Sequence, residues 1–326
     1  MTIFTRNAFF LLGALTVAAT SFELAAAERL GSRLGNARGE QALDSEDRLG
    51  QIQLAQLPQG ARWIKDVAYG NDLLQRFDVY APEKARQSPV IFMVHGGGWV
   101  RGDKANRGVV ESKVEHWVSH GFVVISVNYR FVPAITPVEE AQDVARALAV
   151  AQRDAAQWGG DTSRFILMGH SAGAHLIALI NASPDIARQA GAGPWLGSVL
   201  LDSGALDVPQ IMERQHFDLY DRAFGKDPAL WKAASPQDLL SHAPQPMLLV
   251  CSSRRRDSCA EAERFVTKAK SLGTRASVLS ENMSHGEINS HLGRPSAYTE
   301  AVDHFLASLS PDISARLSEH ATPAAK

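Results

Sequence analysis

Five short, almost wholly apolar runs constrain this chain more than any other feature. They occupy residues 90–94, 122–127, 165–168, 198–201 and 247–250. A strand with one wet face alternates apolar and polar residues, whereas a strand covered on both faces is apolar throughout. Between two of these runs, Ala141, Val144, Ala145, Leu148 and Ala151 fall on one face of a helix over 138–157, which Gly159-Gly160 closes. Buried strands alternating with amphipathic helices specify an α/β fold with a mostly parallel central sheet and helices on both faces. Residues 63–69 and 76–80 read as an early strand pair joined through Gly70-Asn71, and 276–280 as the last strand. The expected organisation is one domain over 59–310, a flexible polar lead-in over 28–58 and a fraying tail over 311–326. Region 208–240 breaks the rhythm, because Met212, Phe217, Leu219, Tyr220, Phe224 and Trp231 follow no strand spacing. It reads as a small cap-like excursion.

Composition excludes several classes. Of 326 residues, 45% are hydrophobic, and the formal net charge is −2. A disordered chain would be less apolar or more unbalanced in charge, and a nucleic-acid binder would carry a basic face. Two Cys are too few for a disulfide scaffold or a zinc ribbon. At the N-terminus, Arg6 precedes an apolar stretch over 8–19, and Ala25-Ala26-Ala27 follows. A basic start, a short apolar centre and an A-x-A site describe a signal peptide, expected over 1–27. The stretch is shorter than the roughly 18–20 residues a spanning helix needs, and no later segment is longer. The sequence therefore predicts no stable membrane insertion and an exported protein, periplasmic or secreted, in an oxidising compartment.

Two glycine motifs carry the chemistry. Gly169-His170-Ser171-Ala172-Gly173 directly follows the buried run 165–168 and precedes a helical pattern over 174–180. That is the strand–turn–helix setting of a nucleophile elbow, with the Ser171 hydroxyl exposed on a sharp turn. His95-Gly96-Gly97-Gly98-Trp99 directly follows the run 90–94. Consecutive glycines let backbone N–H groups converge on a developing oxyanion. Gly97, Gly98 and Ala172 are the expected donors, and His95 braces the loop.

Together these motifs resemble the α/β-hydrolase fold, in its hormone-sensitive-lipase-like and arylformamidase-like carboxylesterase branch. Trp99-Val100-Arg101-Gly102-Asp103-Lys104, Asn128-Tyr129-Arg130 and Gly159-Gly160-Asp161 fit the same pattern, over roughly 60–305. The resemblance makes 59–310 a catalytic domain and orders its triad Ser, acid, His. The acid should then follow the run 247–250, where Asp257 is the nearest; Glu261 and Asp207 are competitors. The base should follow the last strand, which favours His285 over His291. Ser171 would attack an acyl carbonyl, with His285 as base and Asp257 orienting it, and water would release the acyl-enzyme.

The resemblance implies a carboxylesterase acting on small to medium acyl or aryl esters, with no metal and no cofactor. An arylformamidase-like amide hydrolase, a polysaccharide acetyl or feruloyl esterase, a peptidase and a non-catalytic binding module are the alternatives. Cys251 and Cys259 bracket Asp257 and could close a small disulfide loop. Arg254-Arg255-Arg256 reads either as a solvated loop or as a site for a carboxylate or phosphate. Arg101-Gly102-Asp103 reads as loop structure, and the sequon at Asn282 abuts the expected base. Trp99, Phe217, Tyr220 and Trp231 could line a pocket or belong to the core.

Overall fold

The computed structural model describes residues 50–242 and 245–319. The expected signal peptide, residues 28–49 of the lead-in and residues 320–326 lie outside them. Eight strands form one sheet: β1 (Ala61–Ala68), β2 (Arg76–Pro82), β3 (Ser88–Val94), β4 (Val123–Val127), β5 (Gly160–His170), β6 (Gly197–Leu201), β7 (Met247–Ser252) and β8 (Ala276–Glu281). Their order is β1-β2-β4-β3-β5-β6-β7-β8. The β1/β2 and β2/β4 pairs are antiparallel, and every pair from β4/β3 to β7/β8 is parallel. The five apolar runs are five of the six parallel strands, as burial on both faces requires.

Helices cover the two faces. On one side lie α1 (Arg107–Lys113), which continues into a π-helical turn over Val114–Val118, and the C-terminal helices α11 (Ala297–Ala307) and α12 (Pro311–Glu319). They pack against Ile91, Met93, Ile166 and Met168. On the other side α2 (Pro137–Asp154), α3 (Ala172–Ala182) and α9 (Ser258–Ser271) pack against Phe92, Val94, Phe165 and Leu167. The short helix α4 (Asp185–Gln189) follows α3. Alternation along β3 and β5 thus feeds two cores from one set of strands. Helix α2 begins with a capping box between Thr136 and Glu139. It passes into a 3₁₀ turn over Ala155–Trp158 and stops at Gly159, where φ is 80°. A Cβ on Gly159 would meet the Ala85 carbonyl oxygen at 2.2 Å, so both the turn and the packing require glycine.

Region 208–240 is an excursion of four short helices: α5 (Val208–Met212), α6 (Asp218–Phe224), α7 (Pro228–Ala233) and α8 (Pro236–Leu239). Helix α10 (His285–His291) follows β8.

Two expectations are corrected. The lead-in is docked where it is described: Ile52 is buried and its N–H donates to Ala105 O at 2.8 Å. The tail after Pro311 is helical through Glu319. Ile313 is fully buried, and Arg316 Nη1 donates to Gly121 O at 3.2 Å. Asp312 also pairs with Arg164. Ile313, with Leu317 packed against the same core, anchors a segment whose composition conceals it. Ile313→Ala should therefore lower the unfolding free energy by about 2 kcal/mol or more, measured by urea denaturation; a frayed tail would give a loss below about 0.5 kcal/mol.

Candidate active site

Ser171 occupies the turn between β5 and α3, with φ 53° and ψ −117°. This strained backbone is held by neighbours on both sides. Ser171 N–H donates to Leu201 O at 3.0 Å, and Ser171 O accepts from Gly204 N at 2.9 Å. The close approach depends on glycine. A Cβ on Gly169 would lie 2.5 Å from Gly173 O, and one on Gly173 would lie 2.3 Å from Val94 O. The elbow helix therefore presses on the end of β3, where the glycine loop starts.

That loop wraps the elbow. A Cβ on Gly96 would sit 3.0 Å from Ser171 Cβ. Gly97, Gly98 and Trp99 all have positive φ, at 115°, 59° and 64°. His95 braces the loop: its Nδ1 lies 2.6 Å from Gly96 O and its ring stacks on Tyr129 at 4.6 Å. Ala172 is the first residue of α3, where backbone N–H groups have no intrahelical partner. Buried Trp99 is core. Its Nε1 donates to His175 Nδ1 at 3.0 Å, so His175 Nε2 carries the proton given to Ala234 O at 2.8 Å. Burial pushes His175 down to about 4, against that carbonyl bond. Phe224 also packs on Trp99, at 4.9 Å between rings. Tyr220 OH donates to Gly204 O at 2.8 Å, Trp231 is half-buried, and Phe217 is 40% exposed.

His285 opens α10, and its Nδ1 lies 2.6 Å from Asp202 Oδ2. Its own carbonyl lies 3.0 Å from His170 Nε2, and the two rings are 4.4 Å apart. Because His170 directly precedes Ser171, this contact sets the imidazole beside the elbow. Asp202 is the first residue beyond β6. The β5/β6 register pairs His170 with Leu201, so Ser171 and Asp202 leave adjacent strand ends together. Asp202 is fully buried and receives four further bonds. Ser252 N and Ser258 Oγ donate to Oδ1 at 3.0 and 2.5 Å, Arg255 Nη1 lies 2.8 Å from Oδ2, and Arg255 Nη1 also meets the Asp202 carbonyl at 3.3 Å. Burial opposes its ionisation, but the Arg255 charge and the bonds from His285 and Ser258 outweigh it and hold the carboxyl far below the usual range. Burial lowers His285 most, then the charges of Arg255 and His170; Asp202 pulls the other way, and the net direction is down.

A glycine loop wrapped against a helix start, a serine on a strained elbow and a carboxylate–imidazole pair are the parts an acyl-transfer site would need. The BD-FAE family model matches residues 77–193. Esterase LipQ of Mycobacterium tuberculosis is 30% identical over 82% of this chain and 68% of its own. A probable carboxylic ester hydrolase of the same organism, LipM, is 28% identical over 55% of this chain and 43% of its own. Esterase B from Lactobacillus rhamnosis superposes with a TM-score of 0.65 at 18% identity, covering 90% of this chain and 97% of that one. The chain belongs to the α/β-hydrolase carboxylesterases, in their hormone-sensitive-lipase-like branch.

Within this carboxylesterase the expected acid is corrected. Asp257 does not meet His285. It precedes α9 with φ 69°, its side chain is 44% exposed, and its carboxylate lies 3.3 Å from Arg214 Nη1. The loop after β7 turns Arg255 inward and Asp257 outward, so that position supplies a cation to a carboxylate from β6. The competitors do other work. Asp207 caps α5 through Gln210 N, and Glu261 accepts from Leu206 N and Asp207 N at 2.7 and 3.0 Å. His291 ends α10 and interacts with Arg294 and Glu287. Cys251 and Cys259 form a disulfide, with Cα atoms 5.1 Å apart, around the loop that holds Asp202. Arg254 bonds Asn282 Oδ1 at 2.9 Å, and Arg256 is solvated. Gly102 and Asp103 shape the loop, Asp103 accepting from Ala105 N at 2.8 Å.

Sequence reasoning missed Asp202, Arg255, Ser258, His170 and His175 as participants. One signal was available for Asp202: an acid placed directly at the end of a fully buried strand adjoining the elbow strand. Asp202→Asn should reduce kcat for ester hydrolysis about 10³- to 10⁴-fold, the loss expected when the base's tautomer is no longer held. Asp257→Asn should stay within about threefold, because an exposed ion pair contributes little. Parallel kinetics on a chromogenic ester decide between them; the reverse order would restore Asp257.

Proposed function

We propose that this protein hydrolyses small to medium acyl or aryl esters through Ser171, Asp202 and His285. The observation that carries this reading is the 2.6 Å bond between Asp202 Oδ2 and His285 Nδ1, set beside the elbow by the His170 contact. The bond leaves Nε2 as the free ring nitrogen. His285 takes the Ser171 proton as Ser171 Oγ attacks the acyl carbon. Asp202 holds the tautomer and stabilises the imidazolium that forms. The amides of Gly97, Gly98 and Ala172 receive the oxyanion. His285 then protonates the leaving alcohol, and a water deprotonated by His285 hydrolyses the acyl-enzyme. Ser171 is only 5% exposed, and the aromatic cluster of Trp99, Tyr220 and Phe224 stands beside it, which favours compact acyl groups.

Export to the periplasm or medium is part of the proposal. The basic start, apolar stretch and Ala25-Ala26-Ala27 site support it, and the Cys251–Cys259 disulfide suits an oxidising compartment.

An ester panel of graded acyl length, with an aryl formamide alongside, tests the substrate class. Short and medium esters should turn over fastest, and activity confined to the formamide would sink the ester reading. Ser171→Ala should lower kcat by about 10⁴-fold or more while leaving the fold intact. The pH profile has a defined sign. His285 must be neutral to act as base, and its pKa lies below the ordinary 6.5. Activity should therefore rise with pH through a midpoint below 6.5 in kcat/KM, which reports the free enzyme.

A further inference from the structure

The loop after β7 does more than seat a neighbouring carboxylate. Arg255 Nη1 lies 2.8 Å from Asp202 Oδ2, the same oxygen that faces His285 Nδ1 at 2.6 Å. It also lies 3.3 Å from His285 Nδ1 itself. The guanidinium and the imidazole therefore share one oxygen and touch each other. The field at Arg255 also includes Tyr220 from α6 and Glu261 from α9, and 32% of its side chain stays exposed. A guanidinium does not deprotonate in proteins, so this charge is permanent. A permanent cation beside an imidazole disfavours the imidazolium, while the same cation favours an ionised acid.

We propose that Arg255 is a positioning residue for ester hydrolysis: it fixes the Asp202 carboxylate against His285 Nδ1 and sets a permanent positive charge beside the imidazole, so that the base remains competent in mildly acidic medium. This inference rests on the reading of Ser171, Asp202 and His285 as the reacting triad. The other polar and charged groups on the elements around His285 are already engaged. Asp202 reaches it from β6, His170 from β5 and Ser258 from the start of α9 through the shared carboxylate. Glu287 on α10 is paired with Arg254 at 3.2 Å, and Tyr298 on α11 donates to Ile288 O at 2.9 Å. Arg255 joins acid and base while carrying a charge that stays constant over the working range.

The test is the pH dependence of kcat/KM for p-nitrophenyl butyrate in wild type, Arg255→Met, Arg255→Gln, Arg255→Lys and Ser258→Ala. Removing the charge should move the acid limb upward by about one pH unit, a tenfold change in the ionisation constant. Arg255→Lys should keep the limb within about 0.3 unit but lower kcat, because an ammonium cannot reproduce the planar fork. Ser258→Ala removes a donor from the same carboxylate without removing charge, and should lower kcat with the limb in place. If Arg255→Met does not fold, Arg255→Gln carries the same reading. An NMR titration of His285 in the Ser171→Ala background, with and without Arg255→Gln, gives a readout free of turnover and should move in the same direction. An unmoved limb in the neutral variants, or a Lys variant that moves as far as Gln, overturns the proposal. Undiminished hydrolysis by Ser171→Ala would instead remove the triad reading on which it rests.

Discussion

The buried carboxylate of Asp202 is the constraint around which this site is assembled. A carboxylate taken out of water is costly unless charge and hydrogen bonds replace its hydration. Here both oxygens are served, by Ser252 N and Ser258 Oγ on one side and by Arg255 and His285 on the other. Those partners come from the loop after β7 and from the start of α10, so stabilising one charge draws three strand ends together. Deleting one partner of such a group typically costs about 3–5 kcal/mol, because the remaining charge stays buried. The disulfide across the same loop limits how far its donors can drift, since Cys251 and Cys259 bracket Ser252, Arg255 and Ser258.

Glycine does the corresponding job on the other side of Ser171. Gly173 meets Val94 O and His95 O, and Gly169 meets Gly173 O, at distances no Cβ could share. These contacts are backbone against backbone, so a side chain could not move aside. The start of α3 and the glycine loop are thereby forced to one place.

The sheet was legible in the sequence because burial on both faces leaves a strong mark: runs such as 90–94 and 165–168 contain no polar residue. The elbow and glycine loop were legible because their spacing follows from backbone sterics. The acid was not, and the reason is geometric. Asp202 and Asp257 both follow parallel strands, and chain order accommodates either. What separates them is the direction in which a turn aims neighbouring side chains, as Arg255 goes inward and Asp257 outward. Sequence distance from a strand does not encode that direction. The helical tail was hidden for a related reason, since Ile313 and Leu317 stand among small and polar residues over 311–319.

The aromatic wall beside the elbow extends the same logic from chemistry to shape. His175 on α3 accepts from Trp99 in the glycine loop and donates to Ala234 in the excursion. One imidazole thus ties together α3, the glycine loop and the excursion. It can do so only while neutral, because protonated Nδ1 could not accept from the Trp99 indole. Burial enforces that state by pushing its pKa down to about 4. His175 and His285 therefore depend on burial in different ways. For His175 burial freezes one tautomer and makes it a structural pin. At His285 the Asp202 carboxylate opposes burial, although the net direction is still down.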